Sequence, residues 1–101
     1  MSTDPSFRMT VQDVFSIRDR GTVVTGQIES GALKVGDEIS IQRQGSAKKA
    51  VVTAIEAFRK QIQQAQAGDT VGLLLRDVGK QDIQHGDVLV GSDDSEFSWN
   101  S

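Results

Sequence analysis

Apolar residues recur at every second position over residues 7–17, "FRMTVQDVFSI", where Phe7, Met9, Val11, Phe15 and Ile17 share one face. That is the period of a strand with one buried side. Asp13 falls on the same face, an odd place for a carboxylate. A charged turn, "RDRG", leads into "TVVTGQIES", which is rich in β-branched residues and is interrupted at Gly26. Residues 7–29 therefore read as a hairpin, with Gly21 at its turn and Gly26 at a bulge. In "SGALKVGDEISIQ" a loop carrying Gly31 and Gly36 precedes a short strand in which Ile39 and Ile41 alternate with polar residues. "RQGSAKK" is the next turn. "AVVTAIEAF" begins as a strand, and "AGDTVGLLLRDV" and "HGDVLVG" supply further ones, each following a Gly-Asp turn. Turn signals about every ten residues favour a sandwich or a barrel.

One stretch fits two patterns. In "TAIEAFRKQIQQAQAG", Thr53 and Glu56 have the spacing of a capping box, and Ile55, Phe58 and Ile62 fall at helical intervals before Gly68. The β-branched "VVT" upstream argues instead for a strand through Phe58, with one helical turn in 59–66. No internal repeat is evident.

Composition narrows the function. At 101 residues the chain supports one domain and about one site. It has no cysteine and one histidine, so neither a disulfide framework nor a zinc cluster is expected, and no metal or cofactor is assigned. The opening "MSTDPSFRM" is not a secretion signal, and no run of about eighteen apolar residues suggests a membrane span. A cytoplasmic location is the expectation. The net charge of −3 disfavours bulk nucleic-acid binding, because such binders present a basic surface to phosphates. A pocket for a single nucleotide needs stacking and a few hydrogen bonds more than it needs a field.

"GTVVTG" at residues 21–26 has the glycine pattern that opens a phosphate-binding loop. Its interior is Thr-Val-Val-Thr, stiff at χ1, and Gln27-Ile28 stands where the lysine and hydroxyl residue would be. It reads as a strand, and no GTP is expected there. The same residues carry a resemblance. "QDVFSIRDRGTVVTGQIESGALKVGDEI", "IEAFRK", "AQAGDTVGLLLRDV" and "DIQHGDVL", in that order and spacing, resemble the second domain of bacterial elongation factor Tu over roughly residues 7–90. The resemblance implies an all-β, closed antiparallel β-barrel of about six or seven strands with Greek-key-like connections. It places the barrel at residues 7–91, between an N-terminal stretch 1–6 and an acidic tail 92–101. In that family the GTP site lies in a separate domain.

The family's second domain receives the 3′ end of aminoacylated transfer RNA, and the resemblance transfers residue by residue. Glu56 matches a glutamate that holds the terminal ribose, and a carboxylate can accept from a 2′-hydroxyl and so distinguish RNA from DNA. Val23 and Leu74 match apolar walls of the adenine pocket. Asp13, Phe15 and Thr25 match the aminoacyl side, where Gln12 replaces a family glutamate and Thr70 a family asparagine. Asp19 replaces a glycine on a loop that in the family approaches ribosomal RNA. Read without the family, Glu56 is a solvated strand residue, Phe15 a core residue, and Asp13 a turn cap or an ion-pair partner of Arg20 or Arg59. A hydrolytic set of Asp13, Glu56 and Asp69 lacks any fixed separation, His85 reads as a turn residue, and Trp99 as a tail residue or an anchor. The expectation is a noncatalytic binding module for the 3′-terminal adenosine of (aminoacyl-)tRNA or another RNA end. The alternative is a protein-interaction or regulatory scaffold that has lost tRNA binding and meets a protein such as a translation factor.

Overall fold

The structure is a computed structural model that describes residues 4, 6–43, 46–76 and 78–91. Trp99 and the tail lie outside the described residues. Ten strands occur in chain order: β1 (Arg8–Thr10), β2 (Asp13–Ile17), β3 (Gly21–Ser30), β4 (Ala32–Lys34), β5 (Glu38–Arg43), β6 (Ser46–Ala57), β7 (Lys60–Ile62), β8 (Gln64–Gln66), β9 (Thr70–Arg76) and β10 (Val88–Gly91). A single 3-10 turn, Lys80–Asp82, separates β9 from β10. Six strands close an antiparallel barrel in the order β1-β10-β5-β6-β9-β3, and β3 returns to β1. β2 lies on β3, β7 folds back on β6, and β4 pairs with β8 as a separate two-stranded sheet.

The interior follows from alternation along β3 and β9. Val24 and Ile28 of β3 and Val71, Leu73 and Leu75 of β9 are buried, together with Met9, Ile39, Val52, Ile55 and Leu89 from the other barrel strands. Gly26 also faces inward. A Cβ there would lie 2.5 Å from the Thr10 carbonyl oxygen and 3.0 Å from Met9 Cε, so glycine lets β1 approach β3. The bulge expected at Gly26 is not there: its pairing with Val71 is regular, and the register shift between β1 and β3 falls elsewhere, between Arg8 and Met9. Residues 21–26 pair with β2 on one side and β9 on the other, so their N–H groups enter ladders rather than converging on one point.

The single strand expected over 7–17 is two strands with a bend at Val11–Gln12. The Val11 N–H donates to Asp87 O at 2.9 Å, whereas the Gln12 N–H donates to Thr25 O at 2.8 Å. The chain thus leaves the barrel interior at this point. Phe7, Met9 and Val11 are buried, while Phe15 and Ile17 are 52% and 39% exposed. Asp13 therefore does not sit on a buried face. Nor does residues 59–66 form a helical turn, since this segment holds β7 and β8, and Ile55 and Ile62 are cross-strand partners.

The Gly-Asp turns share one construction. Gly36, Gly68 and Gly86 take positive φ, and the following Asp37, Asp69 and Asp87 each accept the N–H three residues earlier, at 2.9, 3.0 and 2.9 Å. Asp87 is further held by Arg43, whose Nε and Nη2 donate to its two oxygens at 3.1 and 2.9 Å. That pair lowers the Asp87 carboxyl below its ordinary range; burial opposes the shift and the Gln84 N–H adds to it.

Candidate functional site

Register builds the site on the outer face of four neighbouring strands. Phe15, Val23, Leu74 and Ala54 form one row across β2, β3, β9 and β6. The next row holds Asp13, Thr25, Gly72 and Glu56, with Gln61 of β7 opposite Glu56. A third sets Gln27 against Thr70. Directly opposed residues project to the same side of a sheet, so these rows share a surface. Gln12 sits at the bend, exposed, tied to Thr25 through its main chain.

Glu56 reaches this face because of an extra residue in β6. Ala50 and Val52 are buried, and strict alternation would turn Ala54 and Glu56 inward after them. The register shifts between Val52 and Ala54, leaving Thr53 as a bulge whose hydroxyl donates to the Leu74 carbonyl oxygen at 3.2 Å. Beyond it Ile55 and Ala57 are buried and Glu56 is exposed. A bulge re-aims the side chains that follow it.

Between the rows opens a hollow of about 150 Å³. Val23, Ala54 and Leu74 give it apolar walls, Ile17 closes one end, and Arg20, Glu56 and Gln61 bring polar groups to it. Gly72 also lines it. A Cβ at Gly72 would sit 3.8 Å from both Thr25 Cγ2 and Val23 Cγ1, an ordinary contact, so the space there is left by a missing side chain and not by strain. A cavity of about 150 Å³ accepts one small ring, well short of the roughly 300–1,000 Å³ of a typical small-molecule pocket. The hollow fits one flat group with a hydrogen-bonding edge.

A comparison with protein-family models matches residues 21–90, well over half of the chain, to Elongation factor Tu domain 2. The chain belongs to the elongation factor Tu domain 2 family. That domain is a non-catalytic barrel in the family. Of the positions named from the sequence, the fold brings Glu56, Val23 and Leu74 of this elongation factor Tu domain 2 member to one hollow. Asp13, Phe15, Thr25 and Thr70 line up beside it on the same face.

Some readings of this domain 2 barrel fall away. The ion pairs among the described residues are Arg8–Glu29, Arg43–Asp87, Lys48–Asp82 and Lys49–Glu38, so Asp13 is paired with neither Arg20 nor Arg59. Asp13 and Glu56 stand at opposite ends of a row crossing β2, β3, β9 and β6. At about 4.8 Å per strand step they are roughly 14 Å apart, beyond the roughly 5–9.5 Å of a glycosidase carboxylate pair. Asp69 is committed to the Gln66 N–H in its turn. A wider depression of about 660 Å³ lies beside β4 and β8, but Asp4, Asp37 and Asp69 at its edge all accept turn N–H groups. Arg20, Gln61, Ala54 and Gly72 were not singled out as pocket residues from the sequence. Gln61 could have been found only from the β6–β7 pairing, and Gly72 only from the row joining Thr25 to Glu56. No helix among the described residues is long and apolar enough to cross a membrane.

Proposed function

We propose that this barrel is a noncatalytic binding module whose hollow takes the 3′-terminal adenosine of an RNA, with (aminoacyl-)tRNA as the family's precedent. The observation that carries the proposal is the convergence of Val23, Leu74 and Glu56, from three strands, on one ring-sized hollow lined by Gly72. The apolar walls suit a base. The Glu56 carboxylate suits a ribose hydroxyl, and Arg20 and Gln61 offer donors for ring nitrogens. In this reading the aminoacyl group extends along Thr25, Asp13 and Phe15 toward Gln12 and Thr70. The module would work in the cytoplasm, without cofactor or GTP of its own.

The test is a titration followed by NMR with a CCA-ended RNA oligonucleotide, the same oligonucleotide lacking its last adenosine, and one ending in 2′-deoxyadenosine. Resonances of Val23, Leu74 and Glu56 should move only when the terminal adenosine is present, and Glu56→Gln should weaken binding about tenfold, as expected for loss of a charged hydrogen-bond acceptor. The 2′-deoxy end should bind wild type as weakly as the ribo end binds the variant. Equal shifts with and without the adenosine would refute the reading.

A second reading has its own observation. Phe15 and Ile17 are 52% and 39% exposed on the same outer face. A protein partner covering them would make the barrel a scaffold. Capture of a stable protein partner that is lost on Phe15→Ser, with no RNA binding at the hollow, would favour it.

A further inference from the structure

We propose that Phe58, at the tip of the β6–β7 hairpin, is a second stacking platform, which receives the base preceding the terminal adenosine. The proposal rests on the adenosine reading of the hollow and extends it by one nucleotide.

Local chemistry works against Phe58 on two counts. It is 88% exposed, more than any other large apolar residue among those described. It also takes φ 53, and Arg59 takes φ 64, as the central pair of a two-residue turn between the paired residues Ala57 and Lys60. Two successive positive φ angles are the conformation that favours Asn-Gly, and a bulky residue there is a true outlier costing on the order of 1–3 kcal/mol. Neither packing nor turn preference explains a phenylalanine at this position. Departures from local rules of this kind concentrate at functional sites.

Position supplies the role. Glu56 lies on the hollow and Phe58 follows it by two residues, so the ring stands about 7 Å farther along the strand direction. An RNA strand with its last base in the hollow brings the preceding base to the hairpin tip. Arg59 and Lys60 flank the ring, and neither makes an ion pair among the described residues. The chain is acidic as a whole, yet this tip is locally cationic and favours a phosphate backbone. An exposed aromatic face beside cations is the arrangement that stacks single-stranded bases without sequence preference.

The decisive experiment compares wild type, Phe58→Asn and Phe58→Trp with the oligonucleotide ACCA and with the same oligonucleotide carrying an abasic penultimate position. Asparagine suits positive φ, so Phe58→Asn should melt at or above the wild-type temperature, which separates a binding loss from a folding loss. Wild type should bind the abasic oligonucleotide about 5- to 10-fold more weakly than ACCA. Phe58→Asn should bind both equally and at the weaker level, and Phe58→Trp should restore the difference. A wild type indifferent to the abasic position, or a difference that survives in Phe58→Asn, would overturn the proposal. Intact dependence on the terminal adenosine with that indifference would overturn this proposal alone, whereas no binding of either oligonucleotide would overturn both. Loss of a protein partner, and not of RNA, in Phe58→Asn would assign the ring to a protein contact and also count against it.

Discussion

Gly72 shows how a missing side chain shapes this surface. Its Cβ would meet only ordinary contacts with Thr25 and Val23, so the fold does not demand glycine there. Gly72→Val should therefore keep the barrel, or stabilise it slightly through β propensity, while filling the space beside Glu56. Thermal melting should show a fold at least as stable as wild type, and NMR titration with the CCA-ended oligonucleotide should show binding reduced at least tenfold. Gly26 makes the opposite case. A Cβ there would lie 2.5 Å from a main-chain oxygen that cannot move aside without shifting β1. Gly26→Ala should destabilise by about 2–3 kcal/mol in denaturant unfolding. The sequence marks both positions only as glycine inside a strand pattern. Which of them is structural depends on the neighbours across the sheet.

At the scale of elements, the bulge at Thr53 matters most. It explains why "TAIEAF" looked helical: Val52 and Ile55 are both buried three residues apart, the spacing of a helix face, because one residue has been inserted into a strand. Period alone cannot separate those causes. Deleting Thr53 should restore strict alternation and turn Glu56 toward the core, where an unpaired carboxylate costs about 3–5 kcal/mol. Circular dichroism and denaturant melts of the deletion variant should show that loss, and a companion deletion-plus-Glu56→Leu chain should recover part of it. The bend at Val11–Gln12 is the second such device. Alternation across residues 7–17 was legible, and it was right for Phe7, Met9 and Val11. It failed for Phe15 and Ile17 because Val11 is bonded to the turn that starts β10 while Gln12 is bonded to β3. The misplaced Asp13 was the signal in the sequence that the face changes.

For the whole molecule, closure of the barrel joins segments far apart in the chain, and one polar contact records it. Arg43 at the end of β5 grips Asp87 in the turn before β10, with the Asp87 side chain only 4% exposed. The folded-state pKa of Asp87 is lowered, so the stability it contributes is present above its unfolded value near 3.9 and is lost as pH falls through the lower folded value. Unfolding free energy measured from pH 7 down to pH 2 should thus decline below about pH 4. Asp87→Asn should cost about 1–2 kcal/mol at pH 7 and flatten part of that decline. An unchanged acid limb in the variant would assign the decline to other carboxylates.

The sequence by itself determined the class of the fold. β-branched runs of about strand length, punctuated by Gly-Asp turns, restrict the backbone locally, and such restrictions can be read without knowing any neighbour. It also carried the family resemblance and, through it, Glu56, Val23 and Leu74. Only the tertiary structure decided that these residues share a hollow, that Gly72 and Arg20 belong to it, and that Phe58 stands exposed beside it. A side chain's direction depends on cumulative register, and one inserted or bent residue reverses it for everything downstream. That reversal is set by which strands meet across the barrel, a long-range choice that no local pattern records.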